Sequence, residues 1–286
     1  MKKVYFSGDS FTYGEGLELF TPSEKWLGEL EKQNTWDILS KKNDIESNEF
    51  RKNNNFVGIF RNHFKNTLEV YQHDGNGGSL SFDMNKRIPD DFSIIGDVDY
   101  LVIQFTSFSR NSLHLNYSCE CDFCKKTDYN TFNEIFDEFI NYKYKKTHNK
   151  FLIEEVCNII KFHDLDDISI IDRIDKFYRD SIKEQIDIFK QTHLQDFKKK
   201  GIEVFFIDSW SSEASDILQL DSDIRERTIP LIGLDGNLYK KWNEWEATLV
   251  HPYIYQKYPK TANHHPTLET HKLISRSLID YFNKIL

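Results

Sequence analysis

The sequence predicts an α/β fold: a mostly parallel central sheet with helices on both faces. Two apolar runs carry most of that expectation, Asp99-Tyr100-Leu101-Val102-Ile103-Gln104-Phe105 and Ile202-Glu203-Val204-Phe205-Phe206-Ile207-Asp208. The first is continuous rather than alternating, as in a strand buried on both faces. The third observation is a short strand, Lys3-Val4-Tyr5-Phe6-Ser7, that runs straight into Gly8-Asp9-Ser10. Helical stretches separate these strands, and that alternation is the pattern of a parallel sheet.

Taken in order, the first strand starts the core at once. Residues 24–55 are mainly polar and read as loop, with one helix around Trp26–Leu30. Phe56, Val57, Ile59, Phe60 and Phe64 fit a short amphipathic helix, and Thr67-Leu68-Glu69-Val70-Tyr71 alternates as a strand. Gly75-Asn76-Gly77-Gly78-Ser79 ends that strand in a flexible loop. The span between the last two strands exceeds what a crossover needs, so residues 112–200 read as a large helical insertion within a single domain, 1–286. Its segments 131–144 and 151–162 look helical. Ile170, Ile174, Phe177, Ile182, Ile186, Phe189, His193 and Phe197 recur at helical spacing up to Gly201, which would end the helix. Pro266 suits a first helical position, and Leu268, His271, Ile274, Leu278, Phe282 and Ile285 mark one face of the helix that follows.

Composition narrows the function. Of 286 residues, 39% are hydrophobic and 29% charged, which excludes a mostly disordered chain. Forty-six acidic residues against 37 basic ones leave a net charge of −9. That field opposes a generic phosphate-backbone binder, so no nucleic-acid partner is expected. Met1-Lys2-Lys3 is followed by only three apolar residues before Gly8 and Asp9, too few for a secretory core. No apolar stretch has the length of a membrane span. The expectation is a soluble cytoplasmic protein, without a membrane partner, whose four cysteines are reduced thiols or metal ligands.

Three pieces meet the needs of serine nucleophilic catalysis. Ser10 follows a strand through Gly8-Asp9, at the carboxyl end of the sheet where open α/β folds bind ligands. Gly77 and Gly78 follow the next strand, where a backbone N–H can approach a substrate oxygen closely. His265 stands just ahead of the last helix, and a hydroxyl nucleophile needs an imidazole to take its proton.

With Phe6-Ser7-Gly8-Asp9-Ser10-Phe11-Thr12-Tyr13-Gly14 at one end and Asn263-His264-His265-Pro266-Thr267 at the other, the chain resembles the SGNH, or GDSL-type, hydrolase superfamily of esterases and lipases. The resemblance spans both ends and, more weakly, the middle, but not the insertion. It implies a three-layer α/β/α sandwich of the flavodoxin-like kind. It also implies Ser10 as nucleophile, His265 as base, and an oxyanion hole that takes an N–H from Gly77, with Gly78 an alternative. The family's Gly-x-Asn-Asp block is replaced by Thr106-Ser107-Phe108-Ser109, with Asn111 several residues late; Thr106, Ser107 or Arg110 could donate instead. The acid partner is absent from its place, where Ala262 and Asn263 stand. Asn263 could accept from His265 and fix its tautomer.

The expected activity is therefore hydrolysis of an O-acyl or acetyl ester, on a glycan or another small molecule, through a Ser–His acyl-enzyme that needs no cofactor. The alternatives are an acyltransferase on the same site, or a non-catalytic binding or assembly protein. Cys119, Cys121, Cys124 and Cys157 could hold a structural zinc that braces the insertion, a surface for a protein partner. His271 on an apolar face reads as a packing residue, and Asp221 and Asp223 as caps or loop residues. Trp242 and Trp245 read as a helix face packed on the core.

Overall fold

The computed structural model describes residues 1–8, 10–14, 17, 45–73, 80, 83–105, 179, 182–208, 215–241, 244 and 268–286; of Ser10, Phe11, Ser47 and Ser215 it describes the backbone alone. The chain divides into two compact units, Met1–Phe108 with Asp187–Leu286, and Ser109–Ile186. Residues 187–200 thus belong to the first unit, which is the one described below.

Its centre is a sheet of four strands: β1 (Lys2–Ser7), β2 (Leu68–Gln72), β3 (Tyr100–Gln104) and β4 (Glu203–Ile207). The spatial order is β2-β1-β3-β4, and every pairing is parallel. Phe6 lies between Gln72 of β2 and Val102 of β3. The chain steps from β1 to one side and then crosses to the other, so the winding direction changes beside β1, the kind of place where open α/β sheets bind ligands.

The period of two along each strand divides the apolar side chains between the faces. One face carries Val4, Phe6, Leu68, Tyr100, Val102, Phe205 and Ile207. Against it pack α3 (Phe56–Phe64) and α8 (Leu268–Ile285), which contribute Phe56, Phe60, Phe64, Ile274, Leu278 and Phe282. The Phe282 ring lies 5.0 Å from Phe60, 5.5 Å from Tyr100 and 5.7 Å from Phe205, mostly edge to face. Such aromatic pairs each contribute about 0.5–1.5 kcal/mol beyond the area they bury. The other face meets α4 (Ile88–Ile95), whose Phe92 stands edge-on to Tyr5 at 5.6 Å. A π-helical turn, Phe189–Leu194, then sets Phe189 against Phe206 at 5.8 Å. The following helix α5 (Gln195–Lys199) ends at Gly201, whose φ of +76° only glycine adopts without strain.

The expected strands, α3, α8 and the Gly201 stop are all present. His271 is fully buried; its Nδ1 accepts the Phe56 backbone N–H at 3.2 Å while the ring stacks on Phe56, a packing role as expected. Asp221 accepts the Ile224 N–H at 3.1 Å and caps α7 (Ser222–Arg227).

One expectation is corrected. Residues 24–55 are not loop throughout, because Ile45–Asn54 forms helix α2. Its buried side chain is Arg51, a cation set 3.4 Å from the centroid of the Tyr13 ring, so no apolar stripe marks the helix in the sequence. The segment around Trp26–Leu30, the Gly75–Ser79 loop, segments 131–144 and 151–162, and Trp242 and Trp245 lie outside the described residues.

Three further features join this frame. They are α1 (Ser10–Tyr13), α6 (Ser215–Leu220) and a hairpin of β5 (Leu231–Ile232) with β6 (Leu238–Tyr239). The hairpin is tied to α8 by the Ile232 N–H, which donates to Ser277 Oγ at 2.8 Å. No helix among the described residues is long and apolar enough to cross a membrane.

Candidate functional site

The carboxyl edge of the sheet is polar and buried. Ser7 closes β1, Gln72 closes β2, Gln104 closes β3, and Asp208 follows β4. Ser7, Gln104 and Asp208 are all almost inaccessible. Polar groups placed so deep must be hydrogen-bonded, and those of Ser7 and Gln104 are used to build one turn.

That turn runs from Gly8 to Gly14. At Gly8 a Cβ would come within 2.1 Å of Thr12 Oγ1 and 2.8 Å of Gln104 Cβ, so the position has room for hydrogen alone. Ser10 then opens the single-turn helix α1. Thr12 Oγ1 donates to Gln104 Oε1, Gln72 Nε2 donates to the Thr12 carbonyl at 3.1 Å, and Asn55 Nδ2 donates to the Tyr13 carbonyl at 3.0 Å. Asn55 does double duty, because its Oδ1 accepts the Gly58 N–H at 2.6 Å and so caps α3. Gly14, with φ of +82°, ends the turn where a Cβ would meet Asn55 Cβ at 2.6 Å. Side chains from β2, β3 and the cap of α3 thus anchor Thr12 and Tyr13 of this turn.

An ion pair holds it from the face of α4. The π-helical turn Asp83–Arg87, which leads into α4, buries both charges. Arg87 Nη1 donates to the Gly8 carbonyl at 2.7 Å and lies 3.1 Å from Asp83 Oδ1; Asp83 Oδ2 accepts the Ser7 hydroxyl at 2.8 Å. Four residues on, Asp91 accepts the Tyr5 hydroxyl and pairs with His73 Nδ1 at 3.0 Å. Burial above all, and then the bond to Asp91, push the Tyr5 hydroxyl far above the usual phenol range, so it stays a donor. Asp83, Arg87 and Asp91 stand four apart in sequence and make one polar stripe toward β1.

Comparison with protein-family models, curated proteins and solved structures finds no match to this chain.

Of the residues singled out in the sequence, Ser10 is placed by its backbone, two residues past Gly8, where it opens α1. Gly77, Gly78, Thr106, Ser107, Arg110, Asn111, Asn263 and His265 lie outside the described residues, as do Cys119, Cys121, Cys124 and Cys157. Among the described residues no three His, Cys, Asp or Glu side chains gather as a metal ion would require. Thr12, Asn55, Gln72, Asp83, Arg87 and Gln104, which build the turn, are functional residues that sequence reasoning misses. The i, i+4, i+8 spacing of Asp83, Arg87 and Asp91 is the signal that could have found the ion pair, since it sets three charges on one side of a helix.

Proposed function

We propose that the chain is a serine ester hydrolase of the SGNH, or GDSL-type, superfamily, with a three-layer α/β/α sandwich of the flavodoxin-like kind. The observation that carries this reading is the Gly8–Gly14 turn. A Gly-Asp-Ser sequence leaves the carboxyl end of a central parallel strand through a glycine that admits no Cβ. Its serine begins a helical turn that Gln72, Gln104, Asn55 and Arg87 fix through buried hydrogen bonds. Preorganisation of this kind is what a nucleophile requires, because productive attack tolerates little positional error.

In the proposed mechanism Ser10 Oγ attacks an ester or acetyl carbonyl carbon while His265 takes its proton. Backbone N–H groups of Ser10 and Gly77 hold the oxyanion, with Thr106, Ser107, Arg110 or Asn111 as the further donor. The tetrahedral intermediate expels the alkoxide, which receives the proton from His265, and water releases the acyl group by the same steps in reverse roles. Asn263 fixes the imidazole tautomer. The substrate is an O-acylated glycan or another small ester.

The test is intact-mass labelling with a fluorophosphonate. One adduct on the wild type, absent from Ser10→Ala and slowed in His265→Ala, is the expected result. A folded wild type that takes no adduct overturns the hydrolase reading and leaves a binding role.

A further inference from the structure

Resting on that reading, we propose that Arg87 is a positioning residue for the Ser10 nucleophile, acting through the Gly8 carbonyl. Glycine is the residue least able to hold its own backbone direction, and position 8 accepts nothing else. The direction must come from outside, and the Arg87 guanidinium supplies it with a buried, charge-assisted bond to the Gly8 oxygen at 2.7 Å. Such bonds are about twice as strong as neutral ones. Asp83 Oδ1 lies 3.1 Å from the same Nη1, and Asp83 Oδ2 takes the Ser7 hydroxyl at 2.8 Å, so Ser7 and Gly8, both ahead of the nucleophile, are anchored to one ion pair.

Stability alone does not call for this arrangement. Both side chains are 4% exposed, and a buried ion pair is often no better for stability than well-packed apolar groups of the same volume. What the pair adds is a fixed position, because the Nη1 that donates to the Gly8 oxygen is itself held beside Asp83 Oδ1. A displacement of about 1 Å at a reacting atom costs about 10²-fold in rate, so the effect of loosening Gly8 belongs to the chemical step.

The experiment follows fluorophosphonate labelling of Ser10 over a range of probe concentrations, which separates probe affinity from the maximal labelling rate. Wild type is compared with Arg87→Ala, Arg87→Lys, Asp83→Asn and a control, Phe92→Leu, that loosens α4 without touching the turn. All are assayed below their melting temperatures. Arg87→Ala is expected to lower the maximal rate about 10–100-fold with affinity unchanged, and added guanidinium ion to restore part of it. Arg87→Lys keeps the charge on a shorter, more mobile side chain; it serves if the alanine variant fails to fold, and its expected rate lies between the two. Asp83→Asn should fall on the same side as Arg87→Lys. An unchanged maximal rate in a folded Arg87 variant overturns the proposal while the hydrolase reading stands. So does a loss no greater than that of Phe92→Leu at matched stability. A wild type that takes no label overturns both, since no nucleophile is left to position.

Discussion

A methyl group at position 8 has nowhere to go. Thr12 Oγ1 lies 2.1 Å from where it would sit, and that oxygen is committed to Gln104. Gln104 is itself buried at the end of β3 and paired with Ile207 of β4. Gly8→Ala is therefore expected to cost about 1–3 kcal/mol, the usual range for overpacking a closed site. It should also abolish Ser10 labelling, by displacing the turn. Urea unfolding midpoints measured beside the labelling rate check both parts. Wild-type labelling in the alanine variant would mean that the turn moves freely and does not set the nucleophile. At this scale the sequence was partly legible. Gly-Asp-Ser after a strand named the turn, but the partners that fix it come from β2, β3, α3 and the Asp83–Arg87 turn, all distant in the chain. Nothing local in Gln72 or Gln104 announces an inward amide at a strand end.

Among the elements, legibility followed the kind of side chain turned inward. β3 and β4 bury continuous apolar runs, and α3 and α8 bury stripes of phenylalanine, leucine and isoleucine, so periodicity found all four. α2 was missed because it buries an arginine on a tyrosine ring. The Asp83–Arg87 turn was missed because it turns an ion pair inward, and α4 because Ile88 is its sole buried residue. The β5–β6 hairpin did leave a trace, Asp235-Gly236, whose glycine has φ of +80°. Asn55 links the elements, since one side chain caps α3 and braces α1. Asn55→Ala should cost about 0.5–2 kcal/mol for the lost cap alone, and more for the Tyr13 carbonyl left without that donor. Asn55→Asp keeps the capping oxygen and loses the donor, so it should fall between wild type and alanine in thermal melts. Equal loss in both variants would show that the cap contributes nothing.

For the molecule as a whole, one source of acid sensitivity near neutral pH among the described residues is His193. Burial beside Phe189 lowers the affinity of His193 for a proton below its ordinary value of 6.5, while Asp196 opposes the effect. The unfolded chain then binds a proton at this position at higher pH than the folded one. Stability is therefore level on the alkaline side and falls as pH drops through about 6.5 toward the lowered folded value. His193→Gln should flatten this part of the profile, read from urea midpoints on both sides of that pH. A profile unchanged by the substitution would assign the slope to other groups.

The order in which the chain is made gives the aromatic core one more consequence. The ribosome delivers β1, β2, β3 and β4 before the side chain on which four aromatic rings of the strands and α3 converge, Phe282, which lies beside Phe60, Phe64, Tyr100 and Phe205. Until α8 emerges, the sheet face carrying Val4, Phe6 and Val102 lacks its cover of Ile274, Leu278 and Phe282. Synthesis at about 5–20 residues per second makes that interval seconds long. A nascent chain of this design presents an apolar face throughout it, so a fragment that stops before residue 268 is expected to aggregate, which sedimentation of residues 1–267 would check.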